Sequence, residues 1–218
     1  MDNDTKEMFQ SKFITFEGTE GVGKSTQIQH LEKYLKSKNI KTLITREPVG
    51  TEIGERIREL LLDKNISQFD AITELLLMFA ARAQHLEEVI YPALQNNTWV
   101  LCDRFTDASY AYQGGGRGVP FSHIKVIENA VHGNFTPDLT IFLNCKLNTG
   151  MKRVKSRGSI DRFEKEQQEF FERVQQTYLQ LAKQHPNRIT VIDANKSVKQ
   201  VTSAIQKVVK ERFPDLIA

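Results

Sequence analysis

The sequence predicts an α/β fold in three layers, a five-stranded parallel sheet with helices on both faces. Short apolar runs rich in β-branched residues alternate with longer segments of helical period, which is the pattern of strand–helix–strand units. The runs are also near-continuously apolar rather than alternating, as parallel strands covered on both faces must be. Finally, the densest polar motifs stand at the carboxyl ends of those runs, where open α/β sheets bind their ligands.

The first run, "FITFE" (Phe13–Glu17), leads directly into "GTEGVGKS" (Gly18–Ser25), and a helical pattern follows over Lys24–Ser37. A glycine-rich loop between strand and helix lets backbone N–H groups converge on one anion, and the helix amino end adds its dipole. The spacing G-x-x-x-x-G-K-S in this context is a phosphate-binding loop. It makes Gly18, Thr19, Glu20, Gly21, Val22, Gly23, Lys24, Ser25 and Thr26 candidates for a nucleoside triphosphate. Lys24 is placed for the β- and γ-phosphates and Ser25 for Mg²⁺. Glu17, at the strand end, reads as a carboxylate bracing the loop. Glu20 is the anomaly, a negative charge in a loop for anions.

The second run, "TLITR" (Thr42–Arg46), ends in "REPVG", with Arg46 as a further phosphate ligand and Pro48 and Gly50 as turn residues. Helical patterns follow over Ile53–Leu62, where Arg58 faces either the crevice or solvent, and over Ala71–Gln95. The third run, "WVLCD" (Trp99–Asp103), ends in "DRF". Asp103 is a second group for Mg²⁺, and Arg104 can clamp a phosphate through a planar fork. Beyond it lie helical patterns at Phe121–Val131, Leu147–Arg157, Glu164–Gln184 and Val198–Arg212, and runs "LTIFLN" (Leu139–Asn144) and "ITVID" (Ile189–Asp193). The charged, glycine-bearing "RGSIDRFE" (157–164) reads as a short mobile lid. Ser109, Tyr112 and Gln113 are spaced so that one helix face can present them together.

Composition bounds the class. With 218 residues the chain is long enough for one domain, taken as 13–218 behind a polar extension at 1–12. A net charge of +3 is too small to argue for nucleic acid, though it suits an anionic small substrate. No apolar stretch reaches the roughly 18 residues of a membrane span, and the amino terminus lacks a signal-peptide core, so a cytoplasmic protein is expected. The two cysteines, Cys102 and Cys145, sit in apolar runs as reduced buried thiols. The guanine-reading Asn-Lys-x-Asp is absent, which weighs against a GTPase.

"FEGTEGVGKST", "TREPVGT", "LMFAARAQH", "DRFTDASYAYQGGGRG", "PDLTIFL" and "RGSIDRFE", in this order, resemble the bacterial thymidylate kinase family over nearly the whole chain. The resemblance implies a P-loop kinase fold, transfer of a phosphoryl group from ATP to dTMP with Mg²⁺, and a homodimer. It implies Arg104 on the dTMP phosphate, Arg82 on the thymine edge, and Ser109 and Gln113 at the base. Tyr112 is implied beneath the deoxyribose, and Glu20 near the 3′-hydroxyl. Arg157 is implied as the lid arginine over ATP, with Arg153 and Arg162 weaker and Asp161 and Glu164 as lid acids. The family often stacks a phenylalanine on thymine where this chain has Met78, so either Met78 or the adjacent Phe79 takes that place. Val49 replaces a common glycine. The alternative is another P-loop nucleotide or nucleoside kinase.

Overall fold

In a computed structural model, residues 11–63, 65–66, 69–150 and 166–216 are described. The five strands are β1 (Phe13–Glu17), β2 (Thr42–Arg46), β3 (Trp99–Asp103), β4 (Leu139–Asn144) and β5 (Ile189–Asp193). All pairings are parallel, in the order β2-β3-β1-β4-β5. The chain leaves β1 for one edge through β2 and β3, then returns past β1 to the other edge. The crevice at that reversal, outside the carboxyl end of β1, is where such sheets bind ligands.

Two apolar layers sandwich the sheet. On one face Ile14, Phe16, Leu101 and Ile141 pack against Ile28, Leu31 and Leu35 of α1 (Lys24–Ser37) and Val201, Ile205 and Val209 of α8 (Val198–Arg212). On the other, Phe13, Val100 and Cys102 meet Leu86, Ile90 and Leu94, while Phe142 meets Phe170, Phe171, Val174 and Tyr178 of α7 (Gln168–Gln184). Cover on both faces holds for the central strands. The edge strands β2 and β5 are half open, with Ile44 and Val191 exposed, because an edge has neighbours on one side only.

Remaining helices are α2 (Glu52–Leu62), α3 (Ala71–His85), α4 (Tyr91–Gln95), α5 (Thr106–Ser109) and α6 (Phe121–Val131). The pattern over Ala71–Gln95 is one continuous rod, but its turn at Leu86–Ile90 is π-helical. That wider turn precedes Pro92, whose nitrogen cannot donate to the ladder. Between Thr106 and Gly116, where a helix face was expected for Ser109, Tyr112 and Gln113 but no helix bounds were assigned, the chain is helical throughout: α5 runs into a π-helical Tyr110–Gly116. Three consecutive glycines mask the helical signal. Their reason is tertiary, since a Cβ on Gly115 would overlap Thr177 and one on Gly116 would overlap the Phe170 ring. The glycines let α7 lie directly on this turn. Of the helix expected over Leu147–Arg157, residues 147–150 are helical; the rest, and the segment 157–164, lie outside the described residues, as do 1–10.

α2 and α3 begin with side-chain caps, from Thr51 and Asp70, and α8 begins with a capping box of Ser197 and Gln200. α1 has no side-chain cap. It starts at Gly23 in the left-handed region, at φ 99°, which leaves its first N–H groups facing the crevice.

Candidate active site

The phosphate loop and a second pocket share one wall. Gly21, with φ 72°, has no room for a Cβ, which would overlap Gly150 O; the helical turn 147–150 presses on the loop from outside. Lys24 is buried, and its Nζ donates to Gly18 O at 3.3 Å and Thr19 O at 3.2 Å. Burial, and then the neighbouring Arg104, pull its pKa below the ordinary lysine value, against the attraction of Asp103, Glu20 and Glu17.

Arg104 is the centre of the shared wall. Its backbone is left-handed, at φ 73°, a conformation that costs a side-chain-bearing residue about 1 kcal/mol. The backbone is held by Arg104 N donating to Phe16 O at 3.0 Å. The guanidinium donates to Gly18 O at 2.9 Å, Glu20 Oε1 at 2.7 Å, the Tyr112 hydroxyl at 3.0 Å and the Tyr178 hydroxyl at 3.3 Å. It also lies 4.7 Å over the Tyr112 ring. Tyr112 in turn donates to Glu20 Oε2 at 2.7 Å. Thus the loop's odd carboxylate turns away from the loop's own N–H groups and toward the arginine opposite.

Beneath this sits Glu17, fully buried. It accepts from Phe105 N at 2.7 Å and from the Tyr178 hydroxyl at 2.6 Å. Burial, then the nearby Asp107, push its pKa up to about 8 despite Arg104. Between its unfolded value and about 8 the folded protein keeps a proton the unfolded chain has lost, so stability falls as pH rises through that window. Glu17→Gln is expected to gain melting temperature relative to the parent between pH 5 and 8. A melting difference that does not change with pH would contradict the raised pKa.

The second pocket is lined by Glu20, Glu47, Pro48, Arg58, Met78, Arg82, Arg104, Ser109, Tyr112 and Gln113, among others. Arg82 is only 2% exposed. It donates to Glu47 Oε2 at 2.8 Å, Ser109 Oγ at 3.1 Å and Phe105 O at 3.2 Å. Burial alone would raise the Glu47 carboxyl, but Arg82 and His85 more than offset it and hold it below the usual carboxylate range. His85 bridges Glu47 and Thr45, with its two ring nitrogens 3.3 and 2.6 Å from them.

Most of the residues singled out from sequence converge here, but not all. Phe79 does not line the pocket: it is 1% exposed and lies behind Arg82, whose guanidinium stands 4.4 Å over its ring. Met78, one residue earlier on α3, lines the pocket instead. Arg46 lines a separate cleft with Ser25 and Asp103. Arg153, Arg157, Asp161, Arg162 and Glu164 lie outside the described residues. Sequence reading passed over Glu47, Glu74 and Tyr178, whose partners are distant in the chain; Glu47 alone stood inside a quoted motif.

For a divalent cation the donor chemistry fits. Asp103 Oδ1 is buried and accepts no hydrogen bond, with Lys24 Nζ 3.8 Å away, and the exposed Ser25 lines the same cleft. Oxygen donors of this kind suit Mg²⁺. Among the described residues no group of three or more His, Cys, Asp or Glu forms a metal cage.

A switch GTPase needs one anion site. A second wall carrying Arg104 and Arg82, meeting the phosphate loop across Glu20, fits transfer between two nucleotides, and fold and site together match the class of P-loop kinases acting on nucleotides. The family model described as thymidylate kinase matches residues 16–205. The chain is 51% identical over 199 residues to a thymidylate kinase of Ruthia magnifica, covering 91% of this chain and 97% of the relative. To the thymidylate kinase of Nitrosomonas eutropha it is 49% identical over 204 residues, covering 94% of each. A crystal structure of thymidylate kinase from Ehrlichia chaffeensis superposes with a TM-score of 0.73 at 34% identity, over 92% of this chain and 98% of that one. The chain belongs to the thymidylate kinase family.

Proposed function

We propose that this protein transfers the γ-phosphoryl group of ATP to dTMP, giving ADP and dTDP. The observation that carries this reading is the Arg104–Glu20 bridge, at 2.7 Å, which ties an acceptor-side cation to the phosphate loop. An acceptor phosphate bound by Arg104 lies next to a donor phosphate bound by the loop, as in-line transfer requires. No nucleophilic side chain is needed, because the acceptor oxygen is already a phosphate oxygen.

In this reading the loop N–H groups from Gly18 to Thr26 and the Lys24 ammonium hold ATP. Ser25 and Asp103 would hold Mg²⁺, which would supply charge neutralisation on the phosphate oxygens. Arg82, Ser109 and Gln113 read the thymine edge, and Met78 packs on its face through a polarisable sulfur. Tyr112 underlies the deoxyribose, where it leaves no room for a 2′-hydroxyl, and Glu20 takes the 3′-hydroxyl. Arg58 completes the acceptor wall. Arg157, in the proposed lid at 157–164, covers the ATP phosphates. Arg46 is left to the donor side, beside Ser25.

We further propose a cytoplasmic homodimer with no nucleic-acid or membrane partner. Exposed Ile53 and Leu60 on α2, Ile72 and Leu76 on α3, and Val126 on α6 support a second copy as the cover for these helices. Oligomeric mass in solution is the check. No helix among the described residues is long and apolar enough to cross a membrane.

The activity is tested by ADP release with Mg²⁺, ATP and a panel of dTMP, dUMP, the ribonucleotide of thymine, AMP, CMP and thymidine. dTMP is expected to turn over best and thymidine not at all. Best turnover on AMP or on thymidine would overturn the reading.

A further inference from the structure

The pocket wall contains an amide whose orientation is dictated from behind. Gln113, 1% exposed, lines the pocket, and its Nε2 donates to Glu74 Oε1 at 2.9 Å. Glu74 is 1% exposed and lies on α3, two turns before Arg82. Its carboxylate also accepts from Arg117, Nε at 3.3 Å and Nη2 at 3.4 Å. Arg117 is fixed in its turn by Glu166 at 2.6 Å. Both Glu74 carboxylate oxygens already accept from Arg117, and Oε1 acts as an acceptor toward Gln113 as well. The carboxylate therefore selects the NH₂ end of the Gln113 amide, and the carbonyl oxygen is the group left to face the pocket.

We infer that Glu74 sets base specificity by locking Gln113 as a hydrogen-bond acceptor beside the donor Arg82. This deepens the dTMP reading and rests on it. An acceptor next to a donor matches the N3–H and O4 of thymine. It mismatches cytosine, which presents an acceptor at N3 and an amino group at C4. A free amide could turn over and give its NH₂ to the cytosine N3, at little cost to the rest of the wall. With Glu74 in place the turn would set the amide carbonyl against a carboxylate oxygen and lose the Gln113 donation to it, so the flip is disfavoured. Glu74 touches no substrate and is a positioning residue.

The test compares discrimination, which a merely structural residue would not move. Measure kcat/KM for dTMP and the inhibition constant of dCMP against dTMP turnover, in the parent, Glu74→Gln and Glu74→Asp. Glu74→Gln offers either end of an amide to Gln113, and the preference for dTMP over dCMP is expected to narrow by about tenfold, the scale of one lost polar contact. Glu74→Asp keeps an acceptor-only group and is expected to preserve the preference. An unchanged preference in folded Glu74→Gln overturns the inference, as does equal narrowing in both variants. Should Glu74→Gln fail to fold, Gln113→Leu removes the amide itself and is expected to narrow the preference too; no change there overturns the inference. Failure of the parent to phosphorylate dTMP is a separate outcome and would sink the acceptor assignment instead.

Discussion

Arg104→Ala is expected to lower kcat/KM for dTMP by about a thousandfold, the effect of truncating one partner of a desolvated charge pair at a binding site. Two losses add. The acceptor phosphate loses its cation, and Glu20, which Arg104 meets at 2.7 Å, is left as an anion facing an anion. Tyr112 still donates to Glu20, but a phenol does not neutralise a carboxylate. The KM for ATP should change much less, because the triphosphate is held by the loop and Lys24. Steady-state kinetics with each substrate varied in turn separates the two. Equal loss for dTMP and ATP would mean that Arg104 acts chiefly by supporting Gly18 O, to which it donates at 2.9 Å, and would remove its acceptor role.

Arg82→Leu is expected to destabilise the protein by about 3–5 kcal/mol, as breaking a buried ion pair from one side does. For a chain of this size that is a fall of roughly 10 °C in melting temperature. The cause is Glu47, whose side chain is 4% exposed and whose carboxylate would keep, among the described residues, the His85 ring as its remaining side-chain hydrogen-bond partner. Adding Glu47→Gln should return part of the loss, since the orphaned charge is then gone. Glu47 titrates below the usual carboxylate range, so its contribution is fully present above the unfolded value and is lost as pH falls through the folded one. The stability gap between parent and Arg82→Leu should therefore shrink in acid. A variant that melts with the parent at neutral pH would show that the pair is not what holds this wall.

The two variants differ because the two arginines sit in different places. Arg104 is part-exposed at the crevice and shares its carboxylate with a hydroxyl. Arg82 is enclosed by Phe79, Phe105, Glu47 and Ser109. Its removal is a folding event as much as a binding one.

Every predicted strand stands at its predicted bounds, because each is a short β-branched run whose limits are set by adjacent glycine, charge or helix signals. Helix bounds were legible where a cap or an apolar stripe marked them, as for α1, α6 and α8. A helix face for Ser109, Tyr112 and Gln113 was legible, but the extent of the helical stretch from Thr106 to Gly116 was masked by its glycines, which answer to the packing of α7 and not to local propensity. The choice between Met78 and Phe79 was also closed to sequence. Adjacent residues on a helix differ by about 100° in direction, and only the docking of α3 decides which one meets the pocket.

What the sequence by itself determined was the fold and the chemical kind of the site: a phosphate loop between strand and helix, and arginines at the ends of parallel strands. Those signals are written within a dozen residues, in hydrophobic period and in glycine placement. What only the tertiary structure decided was who pairs with whom. Glu20 meets Arg104 across 84 residues, Tyr178 meets Glu17 across 161, and Glu74 holds Gln113 across 39. An ionic group in the chain carries no address. It takes the partner that the stacking of whole helices on the sheet brings within hydrogen-bond reach, so a carboxylate that looks misplaced in an anion loop becomes half of the wall opposite.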